Sequence, residues 1–316
     1  MRGAALAALA CAALVLGGCG DGDGETVGPG DERPAEGGLL RYAITDAPEG
    51  LDPLLAGDRA SLLITRQIHE PLVETLSGPF GDVRELAGLA QFSSSSNDRS
   101  IWRFRLRGRV EFQDGTPFNA SAVLANAERW TGTAEGRKLL PGLLAVDAPR
   151  PDLVRFILDR PDPSFPRRLS EPRLGLVSPR ALPSPRRLRI DRPGAGTGTG
   201  AFEIREAGAD GDTVLARNTE WWGTRFDLGP ALDQLVFPVV ADGDRRVSLL
   251  TDGEIEVADA LSEAEARAVA ADPLLTVLGR PPQPLIGAER SVRGIGGGGE
   301  LPELSGAWLT TIDAGP

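Results

Sequence analysis

Both cysteines of this 316-residue chain, Cys11 and Cys19, fall within its first nineteen residues. Everything after Cys19 therefore folds without a disulfide, without a cysteine-held metal and without a thiol nucleophile. Stability has to come from packed side chains alone. The composition suits that, with 41% hydrophobic and 25% charged residues, ordinary values for a globular protein. The length fits two domains or one large one. His69 is the only histidine, which removes most zinc sites and most histidine-dependent triads.

The first nineteen residues describe an export signal. Arg2 precedes an apolar run, Ala4 to Leu16, that closes on Leu16-Gly17-Gly18-Cys19. The run is too short to span a bilayer, and small residues precede the cut. Leu-Gly-Gly-Cys resembles the bacterial lipobox, which implies that Cys19 is acylated and becomes the first mature residue. Two acyl chains are roughly what stable anchoring requires. An ordinary secretory signal with a chance cysteine is the alternative. Residues 20–37 are Gly, Pro and acid, the composition of a flexible tether. No later stretch has the roughly eighteen apolar residues of a span. The expected location is outside the cytoplasmic membrane, on the periplasmic side or cell surface, held by lipid.

Net charge is −11 and becomes one unit more negative once Arg2 is removed. Such an acidic chain argues against nucleic acid and against a polybasic grip on anionic lipid. Lys138 is the only lysine, while Gly (40) and Pro (26) are abundant, a pattern that reads as GC-rich coding before it reads as function.

Periodicity predicts mixed strands and helices. Leu39–Ile44 reads as a strand, and Ser61–His69 as a helix with Ser61 as its cap. Ile101–Arg107 alternates apolar and basic residues, predicting a strand with one buried face and a solvated arginine face. Asp114-Gly115 marks a turn. Asn119 or Ser121 caps a helix through Trp130, with Val123, Leu124, Ala127 and Trp130 inward. Residues 152–159 read as a strand, and Pro161–Pro193 as a connector wrapped over a surface. A strand pair at 201–205 and 213–217 follows, then a buried strand at 232–240. Helices are expected at 245–250 and 262–271, the latter opening on a capping box of Ser262 and Glu265. Strands mixed with helices throughout mean α/β or α+β.

The order of these segments carries a resemblance. Leu51-Asp52-Pro53, then Ile68-His69-Glu70-Pro71-Leu72-Val73, resembles the opening of the family 5 extracellular solute-binding proteins, the peptide- and nickel-type receptors of ABC importers. Trp102–Arg107 with Phe112-Gln113-Asp114-Gly115-Thr116-Pro117-Phe118 resembles that family's most diagnostic segment. Gly198-Thr199-Gly200-Ala201-Phe202 with Arg217-Asn218 and Trp221-Trp222 is similar to its later strand pair. Leu249–Glu256 is similar to the stretch that follows. The chain departs in having His69 where relatives usually have Tyr, and Gln113 where they often have His. Only about sixty residues follow Glu256, too few for a second lobe of ordinary domain size. Residues 274–278 and 308–312 are candidates to return and complete the first lobe.

Gly194–Gly200 invites a phosphate-loop reading. A phosphate loop needs a helix after it, whereas an alternating strand follows here, so the glycines lead structurally into that strand. His69 is expected to pack, with ligand contact or metal ligation as the alternatives. Trp221 and Trp222 divide between core and ligand stacking. Asp52 and Asp114 sit in turn motifs where the carboxylate holds backbone groups. No nucleophile elbow and no metal cluster is present in the sequence.

The resulting expectation is a reduced α/β fold of the periplasmic-binding-protein type (class II), its mixed sheets flanked by helices. Residues 1–19 are the signal and 20–37 the tether. Residues 38–55 and 190–316 form the first lobe, and 56–189 an inserted subdomain. The resemblance implies a binding protein, not an enzyme, without cofactor or metal, that delivers a peptide or similar polar solute to ABC permease subunits. An extended ligand would pair main chain to main chain along a strand edge. Gly198, Thr199, Phe202, Trp221, Trp222 and His69 are the candidate contacts. Two rivals are an interaction lipoprotein that keeps the scaffold without a solute, and a carboxylate-based surface hydrolase.

Overall fold

A computed structural model describes residues 37–77, 83–182, 197–207, 211–226, 229–278 and 287–290. The signal with Cys19, the tether, Gly194–Gly196 and the expected strand at 308–312 lie outside the described residues.

The chain opens with strand β1 (Leu39–Ala43). Helix α1 (Arg59–Ile68) follows, then strands β2 (Val73–Ser77), β3 (Val83–Ala87), β4 (Ala90–Ser95) and β5 (Ile101–Leu106). Helices α2 (Ala120–Gly132) and α3 (Ala134–Leu139) precede β6 (Leu143–Arg150), β7 (Leu153–Leu158) and a short α4 (Phe165–Arg168). The last part holds β8 (Phe202–Ala207), β9 (Thr213–Arg217), β10 (Gln234–Phe237), α5 (Gly243–Asp252), β11 (Val257–Asp259), α6 (Glu263–Ala270), β12 (Leu275–Leu278) and β13 (Gly287–Arg290).

Two larger sheets and the two-stranded pair β2-β3 organise these elements. The larger has seven strands in the order β12-β13-β11-β1-β10-β9-β8. Its centre is parallel, with β1 flanked by β10 and β11, and its outer pairs are antiparallel. Of the residues on these three strands, Leu40, Tyr42, Ala43, Leu235, Val257 and Ala258 are all buried. The smaller sheet, β4-β5-β7-β6, is antiparallel. Its inner face holds Phe104 and Phe156 edge to face at 5.5 Å, with Phe165 against both.

Caps fix the helix starts. Asp58, not Ser61, caps α1, its carboxylate accepting from the Ser61 amide at 2.7 Å. Ser61 is instead buried in the first turn, where its hydroxyl takes the Gly50 amide. Asn119 caps α2 through the amides of Ser121 and Ala122. Ser262 and Glu265 form the expected capping box on α6.

Two expectations are corrected. The proline- and arginine-rich run from Pro161 does not lie over a surface, because Phe165, Leu169, Leu174, Leu176 and Val177 are all buried. Its apolar residues are threaded inward between the prolines; residues 183–193 of the run lie outside the described residues. The expected buried strand at 232–240 is shorter, with only Leu235 and Phe237 of β10 buried, the alternation of a half-covered strand. The tail does return to the large sheet: β12 pairs with β13, and β13 with β11.

Candidate functional site

In open α/β sheets the crevice beyond the carboxyl ends of parallel strands is the usual ligand position. Here β1, β10 and β11 run parallel, so their carboxyl ends share one edge of the sheet. β11 ends on Asp259, whose side chain is 2% exposed. Arg59, the first residue of α1, grips it with Nε and Nη2, each 2.5 Å from a different carboxylate oxygen. Tyr42, near the end of β1, shares hydrogen bonds with both. Burial first, and then the Asp259 charge, push the Tyr42 hydroxyl far above its usual range. Arg59 is held more firmly protonated, chiefly by its hydrogen bonds to Asp259.

A second arginine shapes this edge. Arg246, buried on α5, donates Nη1 to the Val240 and Ala241 carbonyls at 2.6 and 2.9 Å, and Nη2 to Ala260 at 3.3 Å. It thereby ties the segment after β10 to the segment after β11. Ala260 itself sits at φ 51°, a left-handed conformation that costs a residue with a Cβ roughly 1–2 kcal/mol.

The six residues expected to contact a ligand gather at the other end of α1, about 15 Å from Arg59 by helical rise. The structure buries all of them. Three of them, Thr199, Trp221 and Trp222, bring polar atoms to Glu70, which is 1% exposed. The carboxylate accepts from the Thr199 hydroxyl (2.7 Å), the Trp221 indole (3.2 Å) and the Trp222 indole (2.8 Å). His69 Nε2 lies 3.0 Å from the Thr197 hydroxyl. Phe202 opens β8, and its carbonyl accepts from Gln113 Nε2 at 2.8 Å. The Arg107 guanidinium lies 4.0 Å above the Trp222 ring.

Gly198 and Gly200 make this approach possible. The Gly200 amide donates to the Ile68 carbonyl and the Gln113 amide to the Gly198 carbonyl, each at 2.8 Å. A Cβ on Gly198 would overlap the Ile68 carbonyl oxygen, and one on Gly200 would stand 2.5 Å from that of Gln67. The described part of the glycine run, from Thr197, is thus a close backbone crossing that leads into β8. Asp52 and Asp114 hold backbone amides, of Leu54 and Thr116 respectively. Asp52 also pairs with Arg129, and Asp114 receives the Ser178 hydroxyl.

Burial sets the electrostatics of this region. Desolvation lowers His69 from 6.5 to about 3, assisted by the Arg129 charge and opposed by the nearby Thr65 backbone. Its Nδ1 is buried without a hydrogen-bond partner. Glu74, the second residue of β2, rises to about 8: burial outweighs the pull of Arg66 3.7 Å away, and the Glu70 charge adds to the push. Arg59, Asp259 and Glu70 escaped sequence reasoning as site residues. A carboxylate between His69 and Pro71 in an apolar run was the one local signal for Glu70.

Among the described residues no group of His, Cys, Asp or Glu is placed to hold a metal, and no helix is long and apolar enough to cross a membrane. Comparison with known proteins is consistent along the chain. The profile of the bacterial extracellular solute-binding proteins, family 5 (middle region), matches residues 86–291. The glutathione-binding protein GsiB of Escherichia coli (strain K12) is 28% identical over 214 residues, covering 66% of this chain and 39% of that protein. The probable D,D-dipeptide-binding periplasmic protein DdpA of the same strain is 27% identical over 220 residues, covering 68% and 42%. The chain thus spans about two fifths of the length of these curated relatives. Among solved structures, the Escherichia coli murein tripeptide binding protein MppA superposes with TM-score 0.68 at 22% identity, over 78% of this chain and half of its own. The periplasmic binding protein DppA from Helicobacter pylori, in complex with the peptide STSA, gives 0.63 at 22%, over 77% and 50%. The shared architecture is the class II periplasmic-binding-protein fold.

Proposed function

The chain belongs to the bacterial extracellular solute-binding proteins of family 5, and from that membership we propose that it captures peptides or similar small polar solutes for an ABC importer. The observation that carries this reading is the carboxyl edge of β1, β10 and β11, where Arg59 and Asp259 are paired at the sheet's parallel centre. Ligands of open α/β sheets lie against such an edge. The names of the relatives lend support, since they describe binders of glutathione, of D,D-dipeptides and of a murein tripeptide.

In this reading the protein works outside the cytoplasmic membrane, held there by acyl chains on Cys19, and passes its solute to permease subunits. It binds and releases without turnover. His69, Thr199, Gly198, Phe202, Trp221 and Trp222 brace the far end of α1, and so fix the helix whose first residue stands at the edge. Native mass spectrometry of the full-length chain in mild detergent, with glutathione and a pool of di- to tetrapeptides, tests the proposal. Bound peptide mass, lost on gentle activation, is expected. A folded protein that retains none of the pool overturns it.

The burial of all six residues expected to contact a ligand favours one second reading, a scaffold lipoprotein that binds a macromolecular partner and no solute. The same measurement separates the two. Replacing Cys19 with Ala tests the anchor: the protein is expected to leave the membrane fraction, and retention would refute lipidation there.

A further inference from the structure

The two edges of the β4-β5-β7-β6 sheet differ in how they are guarded. β6 carries Asp147, Pro149 and Arg150 and two breaks of register against β7, devices that keep a strand edge from pairing with another chain. β4 has none of them along Phe92–Ser95. It holds no charge and no proline, its one irregularity lies at its start between Ala90 and Phe92, and every residue after Ala90 is exposed. Among the described residues β4 pairs with β5 alone. The Ser96 amide donates to the Ile101 carbonyl on the β5 side. The alternation of an antiparallel pair then turns the amides and carbonyls of Ser93 and Ser95 to the open side.

The neighbouring charges select what such an edge takes. Phe92 and Ser94 stand opposite Arg105 and Arg103, and Arg103 opposite Arg155, so all five share the sheet face turned away from Phe104 and Phe156. Arg155 is bound to Asp147, while Asp152 is shared by Arg105 at 3.6 Å and Arg150 at 3.1 Å. Arg103 has no carboxylate partner among the described residues. Four arginines against two aspartates leave this face positive, in a chain whose net charge is −11. Two copies joined edge to edge would merge two such faces, cation beside cation, which disfavours self-pairing. Ser94 is short, and a strand added beside β4 lies only two strand spacings, about 10 Å, from β5, a gap that Arg103 and an acidic side chain can close between them.

We propose that the open edge of β4 is an interaction surface for an extended acidic segment of a partner protein, which adds as a fifth strand. Its main chain pairs with Ser93 and Ser95, its acidic side chains face Arg103, and an apolar side chain rests on Phe92, which is 67% exposed. This surface belongs to a different sheet from the β1, β10 and β11 edge and does not depend on the solute-binding reading.

Fluorescence anisotropy of the full-length chain in mild detergent tests it. The probe is a labelled heptapeptide, blocked at both ends, with valine, glutamate and glutamate at alternate positions and threonine between; its counterpart has glutamine for glutamate. The glutamate peptide is expected to bind about fivefold more tightly at low salt, a margin that added salt reduces. Arg103→Gln is expected to bind the two alike, and Arg103→Lys to keep the preference. Ser93→Pro removes one outward amide, a change an edge strand accepts, and is expected to weaken both peptides at least about tenfold. Circular dichroism checks that each variant folds. No binding, equal binding of the two peptides by the wild type, or a preference that survives Arg103→Gln overturns the proposal. So does binding untouched by Ser93→Pro, which places the peptide elsewhere. Self-association without peptide that Ser93→Pro abolishes assigns the edge to a second copy and overturns it too.

Discussion

His69 stands at the junction of α1 and the Gly-Thr-Gly crossing, and it makes the stability of that junction depend on acid. The folded imidazole is lowered from 6.5 to about 3 by burial. Below pH 6.5 the unfolded chain takes up a proton that the folded chain refuses until about pH 3, so the unfolded state gains and stability falls with pH across that window. At pH 4 the difference amounts to roughly 3 kcal/mol, at 1.36 kcal/mol per pH unit. Replacing His69 with Phe removes the titration. It also removes the Thr197 hydrogen bond, worth about 1 kcal/mol, and the cost of a buried Nδ1 without a partner, about 1–3 kcal/mol. The ring lies close to Gly198, where a Cβ would stand 3.1 Å from its Cδ2, so a larger ring adds about 1–3 kcal/mol of overpacking. These offsets are independent of pH. Urea titrations followed by tryptophan fluorescence, at several values between pH 7.5 and 4, read the slope apart from the offset. The wild type is expected to lose about 3 kcal/mol relative to His69→Phe over that range. Parallel stability curves for the two proteins would refute the reasoning.

Two further substitutions probe the same region. Glu74→Gln is expected to flatten a loss of stability at higher pH: the folded carboxyl keeps its proton up to about 8 while the unfolded one releases it above 4.5, so the wild type weakens between those values by about 1.4 kcal/mol per unit, as denaturant midpoints will show. Gly198→Ala forces a methyl group onto the Ile68 carbonyl and is expected to cost about 1–3 kcal/mol, read as a lower melting temperature, whereas alanine at exposed Gly108, with open space around it, is expected to be close to neutral.

What the sequence disclosed follows the range of the interaction that decides each element. The capping box of α6 was legible because Ser262 and Glu265 are three residues apart. β5 and β7 were legible from alternation, which a half-buried strand imposes on its own residues. β4 was not, since after Ala90 its residues are exposed and mostly serine. Nor was β11, whose three residues are all buried and too few to show a period. The cap of α1 was misplaced because Ser61 is engaged by Gly50 from an earlier turn. Glu70 finds Thr199 and Trp222 at separations of 129 and 152 residues, and Arg59 finds Asp259 at 200. No window on the sequence brings such partners together, so the family resemblance located the fold while its central contacts stayed hidden.

The parallel centre of the large sheet also sets a timetable for synthesis. Gly38, beside β1, bonds to Asp233, 195 residues further on. At about 5–20 residues per second, β1 leaves the ribosome roughly ten to forty seconds before β10 can join it. The β4–β7 sheet, complete within residues 90–158, is free to form during that wait. Through it β1 remains an apolar strand with both edges open, the state in which a nascent chain pairs with a neighbour instead of with itself. Conditions that slow synthesis of residues 160–260 should therefore lower the yield of folded protein without altering the stability of the molecules that do fold.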